Sequence, residues 1–160
     1  MTERQPTEFP TDSDIDLAEP AQRRELPDAP WSVLAAISIG GGLGALTRWG
    51  LTLAMPHGPD QMPWPTLLTN LGGCAAIGVL MVIVHETIPR HPLLRPFVGV
   101  GILGGFTTFS TYVVDAGQLV ARREVGLALG YTLGTLAGAL AATWLGLACA
   151  RWVFRTRDAQ

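Results

Sequence analysis

The sequence predicts an all-α membrane protein of four transmembrane helices, the third of them broken. Three observations lead there. Four apolar stretches are each long enough to cross a hydrocarbon core of roughly 30 Å, which takes about 20 helical residues. The connectors between them, "PHGPDQMP", "HETIPRHP" and "ARRE", are short and rich in helix breakers or charge. Residues 104–112, "GGFTTFSTY", set two glycines and a cluster of hydroxyls inside otherwise lipid-soluble chain. A soluble four-helix bundle would show a polar face on each helix, and these stretches show none.

Residues 1–30 come first and differ from the rest. They hold eight of the thirteen acidic residues and five of the twelve prolines. Such a segment buries too little apolar surface to offset its ordering entropy, so a disordered acidic tail is expected. It lacks the basic start and short apolar core of a signal peptide and is not expected to be a cleaved leader. The net charge of −2 therefore describes the tail; residues 31–160 carry eight arginines and five acids, with no lysine anywhere. Nothing in this balance resembles the basic face of a nucleic-acid binder.

The first span runs from Trp31 to Met55 with Arg48 as its only charge, and the second, Trp64 to Val84, has none. The third covers Leu93 to Val120, and the fourth, Val125 to Ala150, is uncharged. Residues 31–153 thus form the membrane domain, with 154–160 as a C-terminal tail. Trp31, Trp64 and Trp152 sit at span ends, where indoles prefer the interface. In the fourth span Gly126, Gly130, Gly134, Gly138, Ala142, Gly146 and Ala150 recur every four residues. That spacing predicts a continuous small-residue groove for close backbone approach. Gly40 and Gly44 repeat the device in the first span, and Gly101 and Gly105 in the third. Cys74 and Cys149 lie in separate apolar runs and read as small buried hydrophobes, while His57, His85 and His91 fall in loops or at helix ends.

Several polar residues are out of place. Arg48, late in the first span, can snorkel to the headgroups. Asn70, about two turns inside the second span, needs partners for its amide. Asp115, three residues past the polar run, reads as a vestibule or structural polar residue. In "GGFTTFSTY" adjacent glycines weaken the helix, each by about 1 kcal/mol relative to alanine. A break near residues 104–107 follows, and non-helical backbone at membrane depth is tolerated only where protein buries it or it lines a wet cavity. Freed carbonyls there can bind a cation, while hydroxyls and amides guide an anion.

"GGGLGALTRW", "TLLTNLGG" and "GILGGFTTFSTY", in this order and spacing, resemble the Fluc (CrcB) family of small fluoride channels. The likeness covers residues 31–153. It implies a fluoride-specific channel, not an enzyme, that passively exports fluoride across the cell membrane and lowers its cytoplasmic concentration. It also implies a dual-topology dimer of antiparallel four-helix subunits, with a structural sodium ion at the dimer centre. Backbone carbonyls of Gly104 and Thr107 match the sodium ligands. Asn70 matches the pore asparagine, and Phe109 and Tyr112 the anion-lining phenylalanines, Tyr112 departing from the pattern. Ser110, Thr111, Tyr131 and Thr135 match a polar track, Arg48 the family's arginine, and Asp115 a vestibule carboxylate that is more often glutamate. Ala139 stands where the track could have a further hydroxyl.

Three other functions are weighed. A proton-coupled exporter of cationic drugs wants a carboxylate deep in the bundle, and the first, second and fourth spans have no interior acid. An intramembrane hydrolase using Ser110 lacks a histidine at membrane depth. A non-transporting scaffold leaves Asn70 and "TTFST" without a purpose. As for orientation, seven arginines (Arg23, Arg24, Arg90, Arg95, Arg151, Arg155, Arg157) flank spans on one side, against Arg122 and Arg123 on the other, or three if Arg48 snorkels there. The positive-inside rule then places both termini in the cytoplasm. Two partners are consistent with that bias: a second copy, or a homologue inserted the opposite way.

Overall fold

The computed structural model describes residues 30–87 and 93–158. The expected acidic tail, apart from its last residue, lies outside the described residues, as do Arg90 and His91. Among the described residues every regular element is helical. The order is α1 (Pro30–Ala54), α2 (Trp64–Thr87), a π-helix π1 (Arg95–Leu103), α3 (Gly104–Phe106), α4 (Ser110–Ala121) and α5 (Val125–Asp158). Three helical stretches are long and apolar enough to cross a membrane: Trp64–Val84, Arg95–Ala121 and Val125–Thr156. The first helix has 25 residues, but its glycine run and Arg48 make it less apolar than these three. α5 continues through Asp158, over most of the stretch expected as a C-terminal tail.

Large apolar side chains lie exposed on every long helix, among them Ile39 and Leu43 on α1, Leu68 and Met81 on α2, and Leu133 and Leu140 on α5. In water that surface would be a liability; in lipid it is ordinary solvation. Two small clusters form the interior. Leu80, Val84 and Leu103 join α2 to π1, and Leu119, Ala128 and Tyr131 join α4 to α5.

With no hydrophobic drive between helices in lipid, close approach decides the packing, and glycine permits it. A Cβ at Gly44 would collide with the Ile102 carbonyl, and one at Gly105 with the Gly41 carbonyl. α1 therefore lies backbone-to-backbone on π1 and α3, as the paired glycines predict. α2 and α5 make the most extensive pairing, with Gly78 against the Thr143 carbonyl and Gly146 against Ala75.

The groove expected along α5 is only partly used. Gly138 and Gly146 face α2, whereas Gly126, Gly130 and Gly134 have open space where a Cβ would stand. The reason is geometric. A four-residue repeat advances about 40° per step around a 3.6-residue helix, so the stripe winds around α5 instead of holding one face.

The turn from α4 to α5 is a Schellman closure. The Glu124 amide donates to the Leu119 carbonyl and the Arg123 amide to the Val120 carbonyl, both at 2.9 Å. Arg123 sits at φ 67°, where glycine is usual.

Candidate functional site

The third span breaks between α3 and α4. The Thr107 amide makes the last helical bond before the gap, to the Leu103 carbonyl at 3.0 Å, and the Val113 amide makes the first after it, to Phe109 at 3.1 Å. Thr107 itself is extended, with ψ 157°. Every polar backbone group in such a gap needs a substitute partner.

Asn70 supplies two of them. Its Oδ1 accepts the Thr108 amide hydrogen and its Nδ2 donates to the Thr108 carbonyl, both at 2.9 Å. This two-point clamp fixes which end of the amide is oxygen, since the amide hydrogen must meet an acceptor and the carbonyl a donor. One Nδ2 hydrogen remains outside the clamp. Arg48 supplies a third partner: its Nε donates to the Gly105 carbonyl at 3.2 Å. Through its Nε, Arg48 thus serves the break as a structural polar group.

Thr108 completes the gap and was not singled out by the sequence. Its Oγ1 accepts the Thr111 amide hydrogen at 3.2 Å and donates to Thr111 Oγ1 at 3.0 Å, with Ser110 Oγ 3.4 Å away. In "TTFST" four hydroxyl residues look alike; only the register of the break picks out the one that caps α4.

In an unbroken helix the Thr108 amide would donate to the Gly104 carbonyl and the Thr111 amide to Thr107. Both amides are taken by side-chain oxygens here, so the Gly104 and Thr107 carbonyls lose their helical donors. Gly104 is also exposed, with open space around its α-carbon. Two carbonyls without helical donors could serve a hard monovalent cation, though they are too few to enclose one.

Beside the break lies a groove of about 430 Å³, bounded by α2, π1, the gap and α5. Asn70, Gly104, Thr107, Phe109, Tyr112 and Thr135 all line it. Ser110, Thr111, Tyr131, Arg48 and Asp115 do not. Phe109 is 78% exposed and its ring stands 5.8 Å from that of Tyr112, which is 5.4 Å from Tyr131. The Tyr112 hydroxyl donates to the Thr132 carbonyl of α5 at 3.1 Å. The extra oxygen of this tyrosine therefore ties α4 to α5 and leaves a ring face and edge for the groove. Thr135 donates to the Tyr131 carbonyl at 2.7 Å, so it offers the groove lone pairs and no hydrogen.

Of the two roles read for Asp115, vestibule or structural polar, its surroundings match the second. Asp115 is buried, and Thr66 Oγ1 donates to its Oδ2 at 2.6 Å. The Tyr131 hydroxyl is buried beside this pair, facing both Thr66 and Asp115. Thr66 was also missed. It stands one turn before Asn70 in "TLLTN", and that i, i+4 spacing with a polar neighbour was the available signal.

The chain matches a family model over residues 35–147, described as CrcB-like protein, Camphor Resistance (CrcB). It is 51% identical over 127 residues to fluoride-specific ion channel FluC 2 of Nocardia farcinica, covering 79% of this chain and 91% of that one. It is 43% identical over 144 residues to fluoride-specific ion channel FluC 1 of Streptomyces coelicolor, covering 90% and 92%. With fluoride-specific ion channel FluC 2 of Thermobifida fusca the identity is 52% over 112 residues, 70% of this chain and 83% of that one. This chain belongs to the CrcB family.

Proposed function

We propose that this chain is a subunit of a fluoride-specific ion channel that passively exports fluoride and lowers its cytoplasmic concentration. The observation that carries this is the asparagine clamp over a broken membrane helix, in a chain similar along most of its length to proteins named fluoride-specific ion channels.

Fluoride is small and tightly hydrated, so a pore must replace water with several donors. The Nδ2 hydrogen of Asn70 outside the clamp is one, and it is held by a residue that cannot swing. Hydroxyls of Ser110 and Thr111 sit at the start of α4, and the Tyr131 hydroxyl lies deeper, beside Thr66 and Asp115. The ring edges of Phe109 and Tyr112 carry partial positive charge and touch an anion without holding it hard. Weak, multiple contacts permit exit as well as entry. Thr135 contributes a donor only if its hydroxyl leaves the Tyr131 carbonyl.

The functional unit is a dimer of antiparallel four-helix subunits, α1 acting as the fourth span by packing its glycine face on π1. Phe109 and Gly104, both exposed in one chain, face the second subunit in this arrangement. A structural sodium ion at the dimer centre would be held by the Gly104 and Thr107 carbonyls and would raise the local positive potential near the anion. The protein resides in the cell membrane.

The test is fluoride efflux from proteoliposomes. Vesicles loaded with potassium fluoride should empty when a potassium ionophore relieves the charge. Efflux that required a proton gradient would overturn the channel reading in favour of a coupled exporter. No efflux from a folded, correctly assembled protein would leave a scaffold.

A further inference from the structure

The amide of Thr111 has two acceptors within the reach of its own chain. One is the carbonyl four residues back, on Thr107, which α4 would recruit by growing one turn toward the gap. The other is the side-chain oxygen three residues back, on Thr108, and that is the bond the structure contains, at 3.2 Å. Thr107 stays extended as a result, with ψ 157°, far from the helical value. Thr108 is itself immobilised, because Asn70 holds both its amide and its carbonyl at 2.9 Å. Its hydroxyl hydrogen is directed to Thr111 Oγ1 at 3.0 Å, which turns the lone pairs toward the amide.

We propose that the Thr108 hydroxyl is a positioning group for the cation: by capping the Thr111 amide it keeps α4 from growing onto the Thr107 carbonyl, leaving that carbonyl for a sodium ion. This role rests on the sodium-bearing channel reading above. It assigns Asn70 and Thr108 one shared task. Asn70 diverts the amide that would occupy the Gly104 carbonyl, and Thr108 diverts the amide that would occupy Thr107. Each side chain thereby frees one of the two carbonyls.

A side chain at position 108 needs an acceptor, not a particular shape, for this purpose. Thr108→Ser keeps the acceptor, Thr108→Val keeps the shape without it, and Thr108→Ala removes both without crowding. The experiment is a sodium titration of the purified, assembled channel against choline at constant ionic strength, read as the shift in thermal unfolding midpoint. Fluoride flux from proteoliposomes is a second reading. The wild-type and Thr108→Ser proteins should show the same half-saturating sodium concentration. Thr108→Val and Thr108→Ala should need roughly tenfold more, the scale of losing one helix-cap acceptor. A wild-type response in folded Val and Ala variants would overturn the role of Thr108 while leaving the channel reading intact. Absence of any sodium effect on the wild type would remove the cation itself, and this role with it. Should neither the Val nor the Ala variant fold, the Ser variant decides: a sodium response lost in folded Thr108→Ser protein would overturn the assignment.

Discussion

At the scale of residues, Asn70 shows what a sequence can and cannot disclose. An amide two turns inside an uncharged apolar run must have partners, and that much is legible from desolvation cost alone. Which partners it has depends on how the third span breaks, some 38 residues away in sequence. The clamp sharpens the expected effect of Asn70→Asp. A carboxylate can still accept the Thr108 amide hydrogen, but it cannot donate to the Thr108 carbonyl, and it faces both that oxygen and the anion with like charge. Fluoride flux in proteoliposomes should fall close to background; near-normal flux would take Asn70 out of the pathway. Tyr112→Phe is the gentler counterpart. It retains the ring and loses one hydrogen bond to Thr132, so stability should drop by about 1 kcal/mol with flux nearly unchanged. A severe flux defect at unaltered stability would mean that the hydroxyl contacts the ion. The burial of Asp115 was not legible, because Thr66 becomes its partner only when α2 and α4 pack.

At the scale of elements, glycine content foretold close packing and the break, but not the helix type. Choosing i→i−5 over i→i−4 bonding in π1 leaves no compositional mark, since the same residues suit either ladder; π turns do gather at functional sites. The stripe on α5 was legible as small residues and misleading as a single face, because four-residue spacing drifts around the helix. Two substitutions separate glycines that pack from glycines that do not. Gly44→Ala drives a methyl into the Ile102 carbonyl and should destabilise the solubilised protein by about 1–3 kcal/mol despite better helix propensity. Gly130→Ala meets nothing within this chain and should be neutral or stabilising by up to about 1 kcal/mol. Thermal unfolding in detergent measures both. A destabilised Gly130→Ala dimer would show that the second subunit docks on the open half of the stripe.

At the scale of the whole molecule, arginine placement and assembly pull in different directions. With the four proposed spans, the sequence would put seven arginines on the side of both termini, against Arg122 and Arg123 on the other. Arg48 is left out of that count, its Nε being engaged with the Gly105 carbonyl. The positive-inside rule therefore favours one orientation, termini in the cytoplasm. Yet the single chain has two carbonyls without helical donors, an exposed Phe109 and an open groove, which the proposed inverted partner would complete. A subunit that inserts both ways equally would carry balanced loops, and this one does not. The pairing we propose is with a separately encoded homologue of opposite charge bias. A homodimer requires instead that short loops and few charges let a fraction of chains insert inverted. Paired reporter fusions at the C-terminus, one active only inside and one only outside, measure the first step. Signal should come almost wholly from the cytoplasmic reporter, and comparable signals from both would sink fixed orientation. Flux from the chain purified alone measures the second. Proteoliposomes holding only this chain should be silent until the homologue is added, and robust fluoride efflux without it would establish the homodimer.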